Sequence, residues 1–66
     1  MKFQVYKDKI GQYRWRLIAT NGRVIADSGE GYVNKSDCLA GIQLVKQFAS
    51  TAPIQDQTAG VPVRSW

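Results

Sequence analysis

The chain has 66 residues, room for one domain and no second, and a chain this short buries only about 60% of the surface it exposes when unfolded. One cysteine and no histidine exclude a disulfide and a Cys/His metal cluster as supplements to the small core; 44% hydrophobic and 11% aromatic residues argue against disorder. The net charge of +4 is unevenly spread: residues 2–23 hold six cations against Asp8 alone, whereas residues 24–58 hold Lys35 and Lys46 against four carboxylates. A basic half favours polyanions, and the plain alternative is solubility of a small domain.

Residues 2–7 alternate, Phe3 and Val5 against Gln4 and Tyr6, which predicts a half-buried strand. Residues 8–12 contain Gly11 and read as a hairpin loop. Residues 13–19 alternate again. Tyr13, Trp15, Leu17 and Ala19 share one face, and Arg14, Arg16 and Ile18 share the other. Asn21-Gly22 then predicts a type I′ hairpin turn, with φ > 0 at both residues. Residues 24–26 make a short third strand, and Gly29-Glu30-Gly31 a corner leading away from it. The Glu in that corner, and its mismatch with nucleotide-binding glycine patterns, speak against a phosphate loop.

The period then changes to 3.6. Asn34 is placed to cap a helix over residues 35–49, with Asp37 three residues on in a capping-box arrangement. Cys38, Ile42, Val45 and Ala49 share one face, flanked by Gly41 and Phe48. Gly41 costs helix stability, and its place beside the apolar face predicts a close approach of backbone to sheet. Pro53 stops the helix. Ile54 to Thr58 reads as a short edge strand, the remainder as extended tail, with Trp66 either packed on a partner or free. The expected fold is α+β: an antiparallel sheet of three to four strands with one amphipathic helix on one face. The domain covers residues 1–53 and the tail residues 54–66. The expected core is Phe3, Val5, Trp15, Leu17, Ile42, Val45 and Phe48, joined by Val24 or Ile25.

Three stretches carry a family resemblance: Phe3-x-x-Tyr6-Lys7-Asp8-x-x-Gly11-x-Tyr13-Arg14-Trp15-Arg16-Leu17; Ala19-x-Asn21-Gly22-x-x-Ile25-Ala26; and Gly29-Glu30-Gly31-Tyr32. Lys35-x-x-Cys38-Leu39-x-Gly41-Ile42-x-x-Val45-Lys46 continues it. Over residues 3–46 the chain resembles the YegP-like family of small bacterial and archaeal proteins. The resemblance implies a β-β-β-α unit, often followed by a strand, which occurs singly as homodimers or as two tandem units. It implies no activity. After Lys46 the chain departs from the family pattern, with a longer approach to Pro53 and a weakly apolar next strand.

Without histidine, the Ser-His-Asp and Cys-His nucleophile arrangements cannot be assembled. Cys38 stands in the first helical turn, where a thiol is activated, but also at the centre of the apolar stripe, where packing is the expected role. The five carboxylates read as turn and cap residues, with no metal or other cofactor implied. The basic strand face is the candidate binding site: Tyr6, Arg14 and Arg16, with Lys7 and Lys9 beside them. It is open to three readings. Arginine stems cover the tyrosine ring as plain surface; the residues form a dimer or protein interface; or they bind nucleic acid by phosphate neutralisation and stacking.

The favoured function is a non-enzymatic protein-interaction module that self-associates as a homodimer. It would act in the cytoplasm, since a lone cysteine suits a reducing compartment and no signal peptide or membrane span is read. Its further protein partner is unidentified, and nucleic acid would bind weakly. The alternative is a basic nucleic-acid-binding module using Arg14, Arg16 and Tyr6. A third reading, drawn from the small size and atypical tail, is a mobile-element protein that blocks a host protein or nucleoprotein complex.

Overall fold

The computed structural model describes residues 1–58 and the backbone of residues 61–63. Alternation becomes strand where it was expected: β1 (Lys2–Lys7), β2 (Tyr13–Ile18) and β3 (Val24–Asp27) form an antiparallel meander in the order β1-β2-β3. The pairing sets Phe3 beside Leu17, Val5 beside Trp15 and Tyr6 beside Arg14. Because side chains alternate along each strand, Phe3, Val5, Trp15 and Leu17 share the inner face. The single helix among the described residues, α1 (Lys35–Phe48), lies on that face, chiefly against β2.

Both hairpins use the same device. Asp8 N–H donates to the Gln12 carbonyl and Gly11 N–H to the Asp8 carbonyl; Ala19 and Arg23, Gly22 and Ala19 repeat the pattern. Each loop is therefore three residues long and closes on a left-handed glycine, Gly11 at φ 83° and Gly22 at φ 86°. This corrects the type I′ expectation for Asn21-Gly22. Among the described residues no side-chain-bearing residue has positive φ, so Asn21 is not left-handed. Its Oδ1 instead accepts from Arg23 N–H.

β3 carries one extra residue. Leu17 pairs with Ala26 but Ile18 pairs with Val24, so Ile25 is a bulge. The bulge settles which of Val24 and Ile25 joins the core: neither does, at 52% and 54% exposed. Beyond β3 the chain turns at Gly29 (φ 71°) and returns to β2, where Tyr13 and Tyr32 exchange two backbone hydrogen bonds of 2.7 and 2.8 Å. That bridge sets the Tyr32 side chain against the helix.

The core is Trp15, Cys38 and Ile42, with Phe3, Val5, Tyr13, Tyr32 and Val45 packed against it. Phe3 meets Trp15 edge to face at 5.5 Å between centroids. Leu17 is half-buried, outside this cluster, and Phe48 is 53% exposed, so both leave the expected core. Tyr32, outside the expected set, packs against the core from the corner instead. Gly41 does mark a close approach: a Cβ there would lie 2.8 Å from the Tyr32 hydroxyl and 3.6 Å from Trp15 Nε1. Asn34 precedes the helix in an extended conformation without a side-chain cap bond. Its amide reaches the Asp37 carboxylate at 3.4 Å, so the reciprocal capping box is not formed.

The expected edge strand exists as β4 (Ile54–Asp56), but it does not extend the main sheet. It pairs with β5 (Val61–Val63) in a separate two-stranded sheet. Trp66 lies outside the described residues.

Candidate functional site

The outer face of the meander, opposite the helix, gathers Tyr6, Arg14 and Arg16. Tyr6 and Arg14 are direct cross-strand partners, and Arg16, paired with Gln4, is the diagonal neighbour of Tyr6. The Arg16 guanidinium carbon stands 3.9 Å from the Tyr6 ring centroid. Its Nε is buried with no hydrogen-bond partner, as expected of a cation laid flat on an aromatic face.

Arg14 is held differently. Its Nε donates to Asp8 Oδ2 at 2.7 Å. Asp8 is itself fixed by the hairpin, since its Oδ1 accepts from Ile10 N–H at 3.1 Å and Gln12 N–H at 2.9 Å. The Arg14 bond and those amides hold the Asp8 carboxyl below the usual carboxylate range, and Asp8 raises Arg14 in turn. Tyr6, Asp8, Lys9, Ile10 and Arg14 line a shallow hollow of about 420 Å³ at this end of the sheet.

Of the five expected site residues, Tyr6, Arg14 and Arg16 come together on the outer face and Lys9 reaches the hollow from the loop. Lys7 does not join them. Strand alternation puts it on the helix side, where its ammonium lies 5.1 Å from the Tyr13 ring centroid. Asp8 and Ile10 were missed as site residues. The signal for Asp8 was present, an aspartate three residues before a loop glycine, but it marks a turn and says nothing of Arg14 across the hairpin.

Cys38 is fully buried and free, and burial pushes its thiol up, away from the activated range. Burial likewise raises the Tyr32 phenol, with the Glu30 charge adding to it. Three turn carboxylates behave as expected: Asp8 at its hairpin, Asp27 accepting from Gly29 N–H and Asp56 from Thr58 N–H. Among the described residues no group of three His, Cys, Asp or Glu side chains is close enough to hold a metal ion. No helix there is long and apolar enough to cross a membrane.

A three-stranded meander with one helix on its inner face and a basic, aromatic outer face defines a small α+β unit of the YegP-like kind. The chain belongs to the family described as "Domain of unknown function (DUF1508)", whose model matches residues 8–56. A UPF0339 protein of Neisseria meningitidis is 43% identical over 56 residues, spanning 85% of this chain and 98% of the relative. One from Stutzerimonas stutzeri is 51% identical over 47 residues, which are 71% of this chain but only 41% of that protein. The fold is similar to the solution structure of a protein from Haloferax volcanii. There the TM-score is 0.80 at 44% identity, covering 83% of this chain and 92% of the other.

Proposed function

We propose that this chain is a non-enzymatic protein-interaction module that works by self-association in a reducing, cytoplasmic setting. The observation that carries the reading is β3. All four of its residues are exposed, its outer edge has no partner strand among the described residues, and the bulge turns Val24 and Ile25 outward next to Ile18. An open edge bearing apolar side chains is a template for another strand. Two copies pairing β3 with β3 would continue the sheet and cover the Val24 and Ile25 side chains. The other edge, β1, is less suited, since exposed lysines stand at both its ends.

The reading is non-enzymatic because the chain has no histidine, its only thiol is buried and raised, and its turn carboxylates are occupied. Nucleic-acid binding ranks lower, because Arg16 covers the Tyr6 face that a base would stack on and the Asp8 carboxylate offsets part of the positive charge beside Arg14. Sedimentation equilibrium at micromolar concentration tests the proposal. The expected species is near twice 7.4 kDa, and Ile25→Lys should return it to monomer. A wild-type monomer of high thermal stability would refute it.

A further inference from the structure

We propose that the hollow at the β1–β2 hairpin is a binding site for a peptide carboxylate, with Arg14 as its principal donor. The site stands apart from self-association, which involves the opposite edge of the sheet. Arg14 is anchored through Nε alone: its bond to Asp8 Oδ2 fixes the plane of the guanidinium, and the two terminal amino groups have no hydrogen-bond partner among the described residues. Asp8 cannot swing away, because two loop amides hold its other oxygen. The result is a positioned fork of N–H donors on the sheet surface, the geometry that suits a planar, two-oxygen acceptor. Lys9, without a partner among the described residues, and Tyr6 complete the polar lining.

Charge selects the ligand class. Lys9 and Arg14 against Asp8 leave one net positive charge at the hollow, which balances a carboxylate. A phosphate dianion would bring its second charge close to the Asp8 carboxylate. Size and polarity narrow it further. The hollow has room for a residue-sized group, and Ile10 on its rim is 77% exposed, offering an apolar rest for the atoms next to the carboxylate. Both a chain-terminal carboxylate and a Glu side chain present this chemistry.

The test is a titration of the ¹⁵N-labelled full chain at constant ionic strength, following backbone amides and the arginine Nε–H signals. The probes are N-acetyl-leucine, N-acetyl-glutamate α-amide, neutral N-acetyl-leucine amide and inorganic phosphate. Saturable shifts at Lys9, Ile10, Gln12 and the Arg14 Nε–H are expected with the carboxylates and absent with the neutral amide. The stronger of the two carboxylates identifies the source. Arg14→Lys keeps the charge but loses the fork, and should weaken binding by about tenfold with the remaining spectrum unchanged. Lys9→Gln, on the exposed loop, serves as a second variant and should weaken binding several-fold. The proposal is overturned by equal shifts from the neutral amide, by tighter binding of phosphate, by the absence of saturable shifts, or by unchanged affinity in either variant.

Discussion

The Arg16 guanidinium lies over the Tyr6 ring at 3.9 Å, across the diagonal of the β1–β2 pair. The contact closes the ring face to other partners and leaves the cation without a hydrogen bond at Nε. A cation–π contact at a partly exposed site is worth about 0.5–1 kcal/mol. A double-mutant cycle of Tyr6→Leu and Arg16→Gln, read by urea denaturation, should show a coupling of that size. The same geometry governs nucleic acid. Binding of labelled oligonucleotides should collapse between about 50 and 200 mM salt and be indifferent to Tyr6→Leu, since only counterion release drives it. Salt-resistant binding lost with Tyr6 would show that the ring is free to stack.

Gly41 sits where the helix comes closest to Tyr32 and Trp15. A leucine there should destabilise the fold by about 1–3 kcal/mol through overpacking, more than the gain of about 1 kcal/mol from helix propensity. Alanine separates the two effects. Its Cβ meets mainly the Tyr32 hydroxyl, so Gly41→Ala should gain little alone and about 1 kcal/mol in a Tyr32→Phe background. A denaturation midpoint that rises equally in both backgrounds would show that the hydroxyl does not limit the approach.

The three strands and the helix were legible because their periods are local: alternation at Phe3, Val5, Trp15 and Leu17 needs no knowledge of the rest of the chain. Turn type was not, because Asn-Gly fits more than one loop and the choice lies in how the flanking strands pair. The fate of Val24 and Ile25 hung on a one-residue bulge that leaves no mark in composition. Phe48 fails as core for a related reason. It lies about two helical turns beyond Gly41, past the stretch of helix that Tyr32 and Trp15 approach, and is left exposed. The basic cluster was readable as a list of residues but not as a site. Alternation separates Lys7 from Tyr6, and the Asp8–Arg14 pair exists only once the hairpin closes.

Asp8 links that hairpin to pH. Its carboxyl is held low in the folded chain by Arg14 and the loop amides, so the native state binds fewer protons than the unfolded state in acid. The stabilisation is complete above the ordinary aspartate value and is lost as pH falls through the lowered one. Wild type should therefore exceed Asp8→Asn in urea midpoint at about pH 6, and the difference should shrink toward about pH 2. Asparagine keeps an acceptor for the loop amides, so the comparison isolates charge. A difference that is constant across this range would mean that the carboxylate contributes only as a hydrogen-bond acceptor.

Cys38 gives a readout of the core itself. The side chain is 0% exposed between Trp15 and Ile42, and burial raises its thiol above the ordinary value. Both effects suppress reaction, because the attacking species is the thiolate and the reagent must reach it. Labelling by an aromatic disulfide reagent near neutral pH should therefore be slow and limited by opening of the fold, and mild urea should accelerate it in parallel with loss of stability. The raised thiol also has a thermodynamic consequence. Below the ordinary thiol value, folded and unfolded chains are both protonated. Above it the unfolded chain ionises first, so stability falls as pH rises from there through the raised value. Cys38→Ala should flatten that alkaline decline, at the cost of a small cavity beside Trp15. Cys38→Ser should cost more near neutral pH, about 1–3 kcal/mol, because it buries a hydroxyl among apolar neighbours. Fast stoichiometric labelling of the native chain, independent of urea, would instead place the thiol within reach of solvent and remove Cys38 from the core.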